Sequence, residues 1–325
     1  MQNKFFGDIK GTFGFGCMRF PMIDKKVDVE HTKQMIDRFI KEGFNYFDTA
    51  HTYIDGQSEP VLKECLVERY PREAYILTNK LTTYCFEKEE EIEPLFEKQL
   101  AACGVTYFDF YLMHAVDDEN FANYEKYDCF NFGFEKKRQG LIRHLGFSFH
   151  GTPDMLVKIL DKYPDVEFVQ IQLNYLDWDS EKVCSGKLYE ILSERNIPIV
   201  VMEPIKGGSL AQLRNDLEEK FKAVNPDKSI ASWALRYVGS LPGVMTLLSG
   251  MSLLEQMEDN VKTFTGFTPL SDKEKETIKE VVTIMKETPQ IGCTGCSYCT
   301  DGCPMNVGIP DIFNCRSKGF IFCLL

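Results

Sequence analysis

A chain of 325 residues with 44% hydrophobic content has material for a large core, and although its length would suit two average domains, one barrel can account for most of it. Its formal net charge of -12 argues against nucleic acid or an anionic membrane as a partner. The opening Met1-Gln2-Asn3-Lys4-Phe5-Phe6-Gly7-Asp8 holds no signal-length apolar run and no stretch approaches the roughly 18 apolar residues of a bilayer span, so a cytoplasmic protein is expected.

In chain order, short apolar runs predict strands at 12–17, 45–47, 75–78, 108–113, 144–147, 168–173, 197–201 and 244–248. Between them, apolar residues three and four apart predict helices at 31–41, 60–70, 92–103, 134–139, 154–163, 182–195, 229–239 and 253–264. Strict alternation of this kind, with strands apolar on both faces, predicts an α/β fold, a (β/α)8 TIM barrel. An open doubly wound sheet is the structural rival. It favours a Gly-x-Gly-x-x-Gly turn after the first strand, and Gly11-Thr12-Phe13-Gly14-Phe15-Gly16 is not placed as one. A last helix is expected at 272–286, with Ser271 as its cap. The segments 115–131 and 206–228 read as long loops that shape substrate access.

After Pro289 the composition turns to cysteine, glycine and small polar residues, which divides the chain into a barrel, 1–288, and a tail, 289–325. Six of the twelve cysteines fall in that tail. Cys293-x-x-Cys296-x-x-Cys299-x-x-x-Cys303-Pro304 has the spacing by which bacterial ferredoxins hold a 4Fe-4S cluster. Zinc is the rival, although it usually pairs separated Cys-x-x-Cys units. The scattered cysteines read as reduced, partly buried apolar residues.

Three strand runs end on residues of chemical interest. The second leads to Asp48, with Tyr53 in the loop beyond it; the third reaches Lys80 and the fourth His114. In a parallel barrel these four converge at one mouth, where barrel enzymes keep their chemistry. Hydride reduction of a carbonyl leaves an alkoxide, so a proton donor must stand beside the oxygen. A phenol with a pKa of about 10 is a poor acid at neutral pH, and the Lys80 ammonium is expected to lower that value for Tyr53. Asp48 would hold and balance the ammonium, while His114 orients the carbonyl oxygen or shares the proton.

Asp48-Thr49-Ala50 with Tyr53, Gly56 and Ser58-Glu59, then Thr78-Asn79-Lys80, Tyr111-Leu112-Met113-His114, Gly146-Phe147-Ser148-Phe149-His150, Met202-Glu203-Pro204 and Leu248-Ser249-Gly250-Met251, resemble the aldo-keto reductases. The order of these pieces from about Gly11 to Asn260 carries the likeness. Met202-Glu203-Pro204 with Gly207-Gly208 and the cysteine tail resembles the bacterial branch that appends a ferredoxin-like module. The second cysteine run of that branch is missing, and only Cys315 and Cys323 follow.

The resemblance implies reduction of an aldehyde or ketone by NADPH or NADH, with Asp48, Tyr53, Lys80 and His114 in the roles above. It places Ser148 and Gln170 on the nicotinamide carboxamide and Met202 where relatives carry a ring-stacking aromatic. The turn of Lys206, Gly207, Gly208 and Leu210 would line the pyrophosphate, and Ser249, Gly250, Met251, Gln256, Asp259 and Asn260 would meet the adenosine end. Gly250 and Gln256 stand where many relatives grip a 2'-phosphate with cations, so weak discrimination between the two cofactors, or a lean to NADH, is expected. Tyr84, Phe86 and Trp178 are candidates for an apolar substrate pocket, and Arg19 for an anionic substrate group. A redox protein partner for the cluster is a further expectation. The alternative function is a cofactor-sensing or electron-transfer module without carbonyl turnover.

Overall fold

Val, Ile, Leu and Phe crowd the runs that form the sheet, and a strand apolar on both faces is stable only when helices cover one side and neighbouring strands enclose the other. The computed structural model describes residues 4–287, with 300, 305 and 307–310. Within it eight parallel strands close into a barrel: β1 Phe13–Gly16, β2 Tyr46–Asp48, β3 Ile76–Leu81, β4 Phe108–Val116, β5 Ile142–Phe149, β6 Phe168–Gln172, β7 Ile199–Met202 and β8 Val244–Gly250. Each strand pairs with its sequence neighbours, and β1 pairs with both β2 and β8 to close the ring. All eight predicted strands are present, with ends moved by a few residues.

The inside of the barrel is packed. Tyr46, Ile76, Phe110, Leu112, Phe168, Val200, Met245 and Leu248 form one interior cluster with Ile9, against which Phe5 and Phe6 rest. Phe6 meets Phe110 at 5.2 Å and His144 at 4.4 Å between ring centroids, so the N-terminal segment plugs the floor. Space between strands is tight: a Cβ on Gly146 would lie 2.5 Å from the Phe168 carbonyl oxygen, so only glycine lets β5 approach β6 there.

The helices start where their caps dictate. Asp28 accepts from His31 N at 3.1 Å to open Val29–Lys41, and Met35, Ile36 and Phe39 give that helix its buried stripe. Thr152 opens Pro153–Lys162 with proline in the first turn, and Ser229 opens Ile230–Gly239. The helix predicted at 60–70 is an α-turn, Ser58–Leu62, continued by a wider π-helical turn, Lys63–Val67.

Both expected long loops contain helices. The first holds Phe121–Lys126 and the start of Cys129–Arg138; the second holds Asn215–Val224. Asn215–Val224 buries Leu217 and Phe221, and these join Trp233, Ile278, Val281 and Met285 in a second core outside the barrel. Phe221 stacks on Trp233 at 4.4 Å. The final helix, Asp272–Glu287, belongs to that core and is pinned by Glu274 to the buried Arg236, with Nη2 to Oε2 at 3.0 Å. Of the proposed tail unit at 289–325 only residues 300, 305 and 307–310 are described, and Cys293, Cys296, Cys299 and Cys303 lie outside the described residues.

Candidate active site

The register brings the strand ends level. Gly16 pairs with Asp48, Asp48 with Thr78, and Lys80 with Leu112 two residues before His114. Lys80 Nζ donates to Asp48 Oδ1 at 2.6 Å and to the Thr49 carbonyl at 2.7 Å. The same Nζ stands 4.7 Å from the centroid of the Tyr53 ring, and that ring meets the His114 imidazole edge-on at 5.9 Å. The four side chains that the sequence singled out therefore share one site. Lys80 and Asp48 are sealed from solvent, at 0% and 2% exposure, whereas Tyr53 and His114 are half-buried.

Burial and charge compete at each group. For Lys80, burial opposes the charged form, but Asp48 and Tyr53 outweigh it and hold the pKa above its ordinary value. Burial pushes the Tyr53 phenol up; the Lys80 ammonium pulls the other way and is partly cancelled by Asp48. The phenol is therefore raised overall, opposite to the expectation from Lys80 alone, because the sequence could not weigh desolvation against an already neutralised ammonium. Burial, then Lys80 and His150, hold the His114 imidazole well below the usual range, so it is neutral at physiological pH. Its Nδ1 lies 2.7 Å from Thr82 Oγ1, and its main-chain carbonyl accepts from the Tyr124 hydroxyl. When Thr82 donates to Nδ1, Nε2 is left as an N–H donor.

A second layer fixes this arrangement. The loop carrying Tyr53 is tied by Thr49 Oγ1 to Ser58 Oγ at 2.7 Å, by Ser58 Oγ to the Cys17 carbonyl at 2.9 Å, and by His51 Nδ1 to Glu59 Oε2 at 2.7 Å. Asn79 Nδ2 donates to the other Glu59 oxygen at 2.8 Å. Behind Lys80, Gln99 Nε2 donates to its carbonyl at 2.8 Å and Gln99 Oε1 accepts from Tyr111 at 2.5 Å. Sequence reasoning missed Thr82 and Gln99. The signal for Gln99 was present: it is a glutamine on the apolar stripe of Ile92–Cys103, beside Ile92, Leu95, Phe96 and Cys103. Five of the ten non-glycine residues with left-handed backbone among the described residues, Ile54, Asp55, Ala115, Glu203 and Lys206, lie in loops that follow β2 or β7 or interrupt the end of β4, with φ between 49° and 54°. Such strain is costly and clusters at functional sites.

Ser148 and Gln170 pair across β5 and β6, and Gln170 Nε2 reaches Met202 Sδ at 3.5 Å. Gln170 Oε1 is buried without a partner, and Ser148 Oγ accepts from Ala115 N at 2.6 Å. An orphaned amide oxygen beside a hydroxyl and a thioether fits a ligand carboxamide. The other expected cofactor residues divide. Lys206 Nζ is held by both oxygens of Asp177 at 2.6 Å, and the amides of Lys206, Gly208 and Leu210 bond back to Glu203 and Ile205 within their own turn. Those amides hold the loop together, and Leu210 is buried in the second core. Gly207 and Gly208 both have left-handed backbone, and a Cβ on Gly208 would meet nothing within 4 Å. Near the end of β8, Ser249 Oγ accepts from Asn260 Nδ2 at 3.1 Å and the Arg19 side chain lies over Gly250. Met251 is buried. Gln256 Oε1 accepts from Ser252 N and Leu253 N, and Asp259 accepts from Ser229 at 2.5 Å.

The expected apolar pocket residues do not act together. Tyr84 is exposed, with its hydroxyl 3.3 Å from Thr52 Oγ1; Phe86 is buried edge-on against Tyr127. Trp178 packs on Tyr189 and Tyr237 of the outer helices. Among the described residues no three His, Cys, Asp or Glu side chains are placed to hold a metal ion, and no helix is long and apolar enough to cross a membrane.

The sequence profile of the aldo/keto reductase family matches residues 12–283. An uncharacterised oxidoreductase of Schizosaccharomyces pombe is 28% identical over 260 residues, covering 77% of this chain and 80% of that protein. L-galactose dehydrogenase of Arabidopsis thaliana is 24% identical over 296 residues, covering 84% and 90%. The holo form of an aldo-keto reductase from Bacillus halodurans superposes with a TM-score of 0.68 at 23% identity, covering 86% of this chain and 95% of that one. An aldo-keto reductase from Klebsiella pneumoniae in complex with NADPH does so with a TM-score of 0.65 at 19% identity, covering 88% and 98%. At these identities the likeness to solved structures is one of fold.

Proposed function

The chain belongs to the aldo/keto reductase family, and on that footing we propose that this NAD(P)H-dependent oxidoreductase reduces an aldehyde or ketone to an alcohol, with Tyr53 as general acid. The observation that carries the reading is the position of Lys80 Nζ, bonded to Asp48 and standing over the Tyr53 ring. The bound nicotinamide supplies the hydride. Ser148 and Gln170 would hold its carboxamide, and the free Gln170 Oε1 supports that assignment.

The protein's own residues account for the proton. A raised phenol pKa keeps Tyr53 protonated at neutral pH, which a donor requires. An alkoxide is a far stronger base than a phenolate, so transfer from Tyr53 runs downhill. Lys80 then acts where charge develops, on the phenolate left behind. Neutral His114, with Nε2 as a donor, orients the carbonyl oxygen.

NADPH is the cofactor we assign, since the Klebsiella protein of this fold is described with it. Uncharged Gly250 and Gln256 support weak selection against NADH. For the tail we assign Cys293, Cys296, Cys299 and Cys303 to an iron-sulfur cluster on their spacing alone; iron and sulfide analysis of anaerobically purified protein, with a clean zero, removes that assignment. The deciding experiment for the reductase is a panel of small aldehydes and ketones with both cofactors, run on the native chain and on Tyr53→Phe. Turnover in the native chain and its loss by about 10²-fold or more in the variant, with cofactor binding intact, is expected. Equal activity in both removes Tyr53 from its role.

A further inference from the structure

Beneath the site, unexplained polar chemistry lies one layer deeper in the barrel. Side chains alternate along a strand, so Tyr46 and Asp48 on β2 face inward together, as do Ile76, Thr78 and Lys80 on β3. Tyr46 and Ile76 belong to the interior cluster, and the register sets Tyr46 beside Ile76 and Asp48 beside Thr78. Tyr46 and Thr78 are wholly buried, and Asp48 is 2% exposed. Yet the Tyr46 hydroxyl, Thr78 Oγ1 and Asp48 Oδ2 are all sealed from solvent without a hydrogen-bond partner in the protein.

An unmet buried polar atom costs roughly 1–3 kcal/mol, and three in one place are unusual. The register sets them on neighbouring positions: Asp48 is level with Thr78 and two residues beyond Tyr46 on the same face of β2, and Thr78 acts on the Tyr46 phenol. In the structure none of the three pairs with another at ordinary hydrogen-bond geometry. A single water meets all three, since buried waters typically make about three hydrogen bonds to groups of this kind.

We propose that one ordered water sits in the barrel interior beneath Lys80, accepting from the Tyr46 hydroxyl and donating to Asp48 Oδ2 and Thr78 Oγ1, and that Tyr46 is thereby a positioning residue for the Asp48–Lys80 pair. Lys80 occupies one Asp48 oxygen and the water occupies the other. The remaining groups facing this carboxylate are Cys17 beyond β1 and Tyr53 in the loop, both kept neutral by burial, while neutral His114 faces Lys80 from β4. The water is therefore the donor to Asp48 that does not depend on Lys80. Its catalytic consequence rests on the reductase reading; its existence does not.

A high-resolution crystal structure of the native protein tests the site. A density peak within hydrogen-bond distance of all three atoms is expected, and a dry interior, or a direct Tyr46–Asp48 bond, overturns it. The role is read from pH profiles of kcat/KM. Losing a donor to a carboxylate raises its pKa, so Tyr46→Phe and Thr78→Val should each move the acid limb up by about one pH unit, with little change in KM, and Thr78→Ser should restore it. Superimposable profiles overturn the role even where the water is present. A native protein inactive on every carbonyl counts against the reductase reading, and the crystal density still decides the water.

Discussion

Lys80 Nζ and Asp48 Oδ1 lie 2.6 Å apart with neither side chain open to solvent. Two buried charges are tolerable only as a pair, and removing one partner leaves the other stranded at a cost of about 3–5 kcal/mol. Asp48→Asn should therefore lower the denaturant midpoint sharply as well as activity. Replacing both members, Asp48→Asn with Lys80→Met, should recover part of that loss, because no charge is then left unpaired. If the double variant is less stable than Asp48→Asn alone, the pair is not what governs stability here.

The imidazole of His114 carries a second prediction. Its folded-state pKa lies well below 6.5, first because of burial and then because of Lys80. A base that is neutral in the fold and titrates normally when unfolded makes the unfolded state bind an extra proton as pH falls below about 6.5. The protein should thus lose stability from this group below that pH and show no loss above it. In an NMR titration the His114 ring signals should stay fixed between pH 8 and 6; a midpoint near 6.5 would place the ring in a solvated environment and refute this.

Much of this architecture was legible in the amino-acid order, for a definite reason. Strands such as Phe108–Val116 and Ile199–Met202 are apolar on both faces, and a polar residue ending such a run stands out, which is how Asp48, Lys80 and His114 declared themselves. Phe121–Lys126 and Asn215–Val224 were hidden because helices lying on the outside need only two or three apolar contacts each. Leu217, Phe221 and the half-buried Val224 were the signal of the second one, on an otherwise polar helix. The phenol's raised pKa was not legible at all. It arises from the enclosure around Tyr53 and from the Asp48 counter-charge acting at a distance that only packing sets. Likewise, no spacing rule shows that the amides of Gly208 and Leu210 are already committed to the Ile205 carbonyl.

Outside the barrel, Glu274 accepts from Arg236, Ser271 and Asn225. Burial raises its pKa, but Arg236 and the other donors win and bring it from 4.5 down to about 2. A depressed carboxylate stabilises the fold fully above its unfolded value, and that contribution fades as pH falls through the folded one. Glu274→Gln should therefore cost on the order of 3 kcal/mol at pH 7 and much less near pH 2. Thermal unfolding of both proteins across that range checks it; a constant difference at all pH values would mean the carboxylate charge contributes nothing.

Cofactor choice follows from what stands near the end of β8. Gly250 has no side chain, and Gln256 spends its carbonyl on the amides of Ser252 and Leu253 at the start of Leu254–Thr265. Neither supplies the fixed cation that a 2'-phosphate needs for tight, selective recognition; Arg19 crosses Gly250 with its alkyl stem, and its charge acts on Glu203. Dissociation constants for NADPH and NADH should therefore differ by less than about a hundredfold, some 2.7 kcal/mol. Gln256→Arg should tighten NADPH alone, by up to about tenfold for one exposed charged contact, while losing part of the helix cap. Equal tightening of both cofactors would place the new charge against a group they share, and the adenosine end would then lie elsewhere than at residues 249–260.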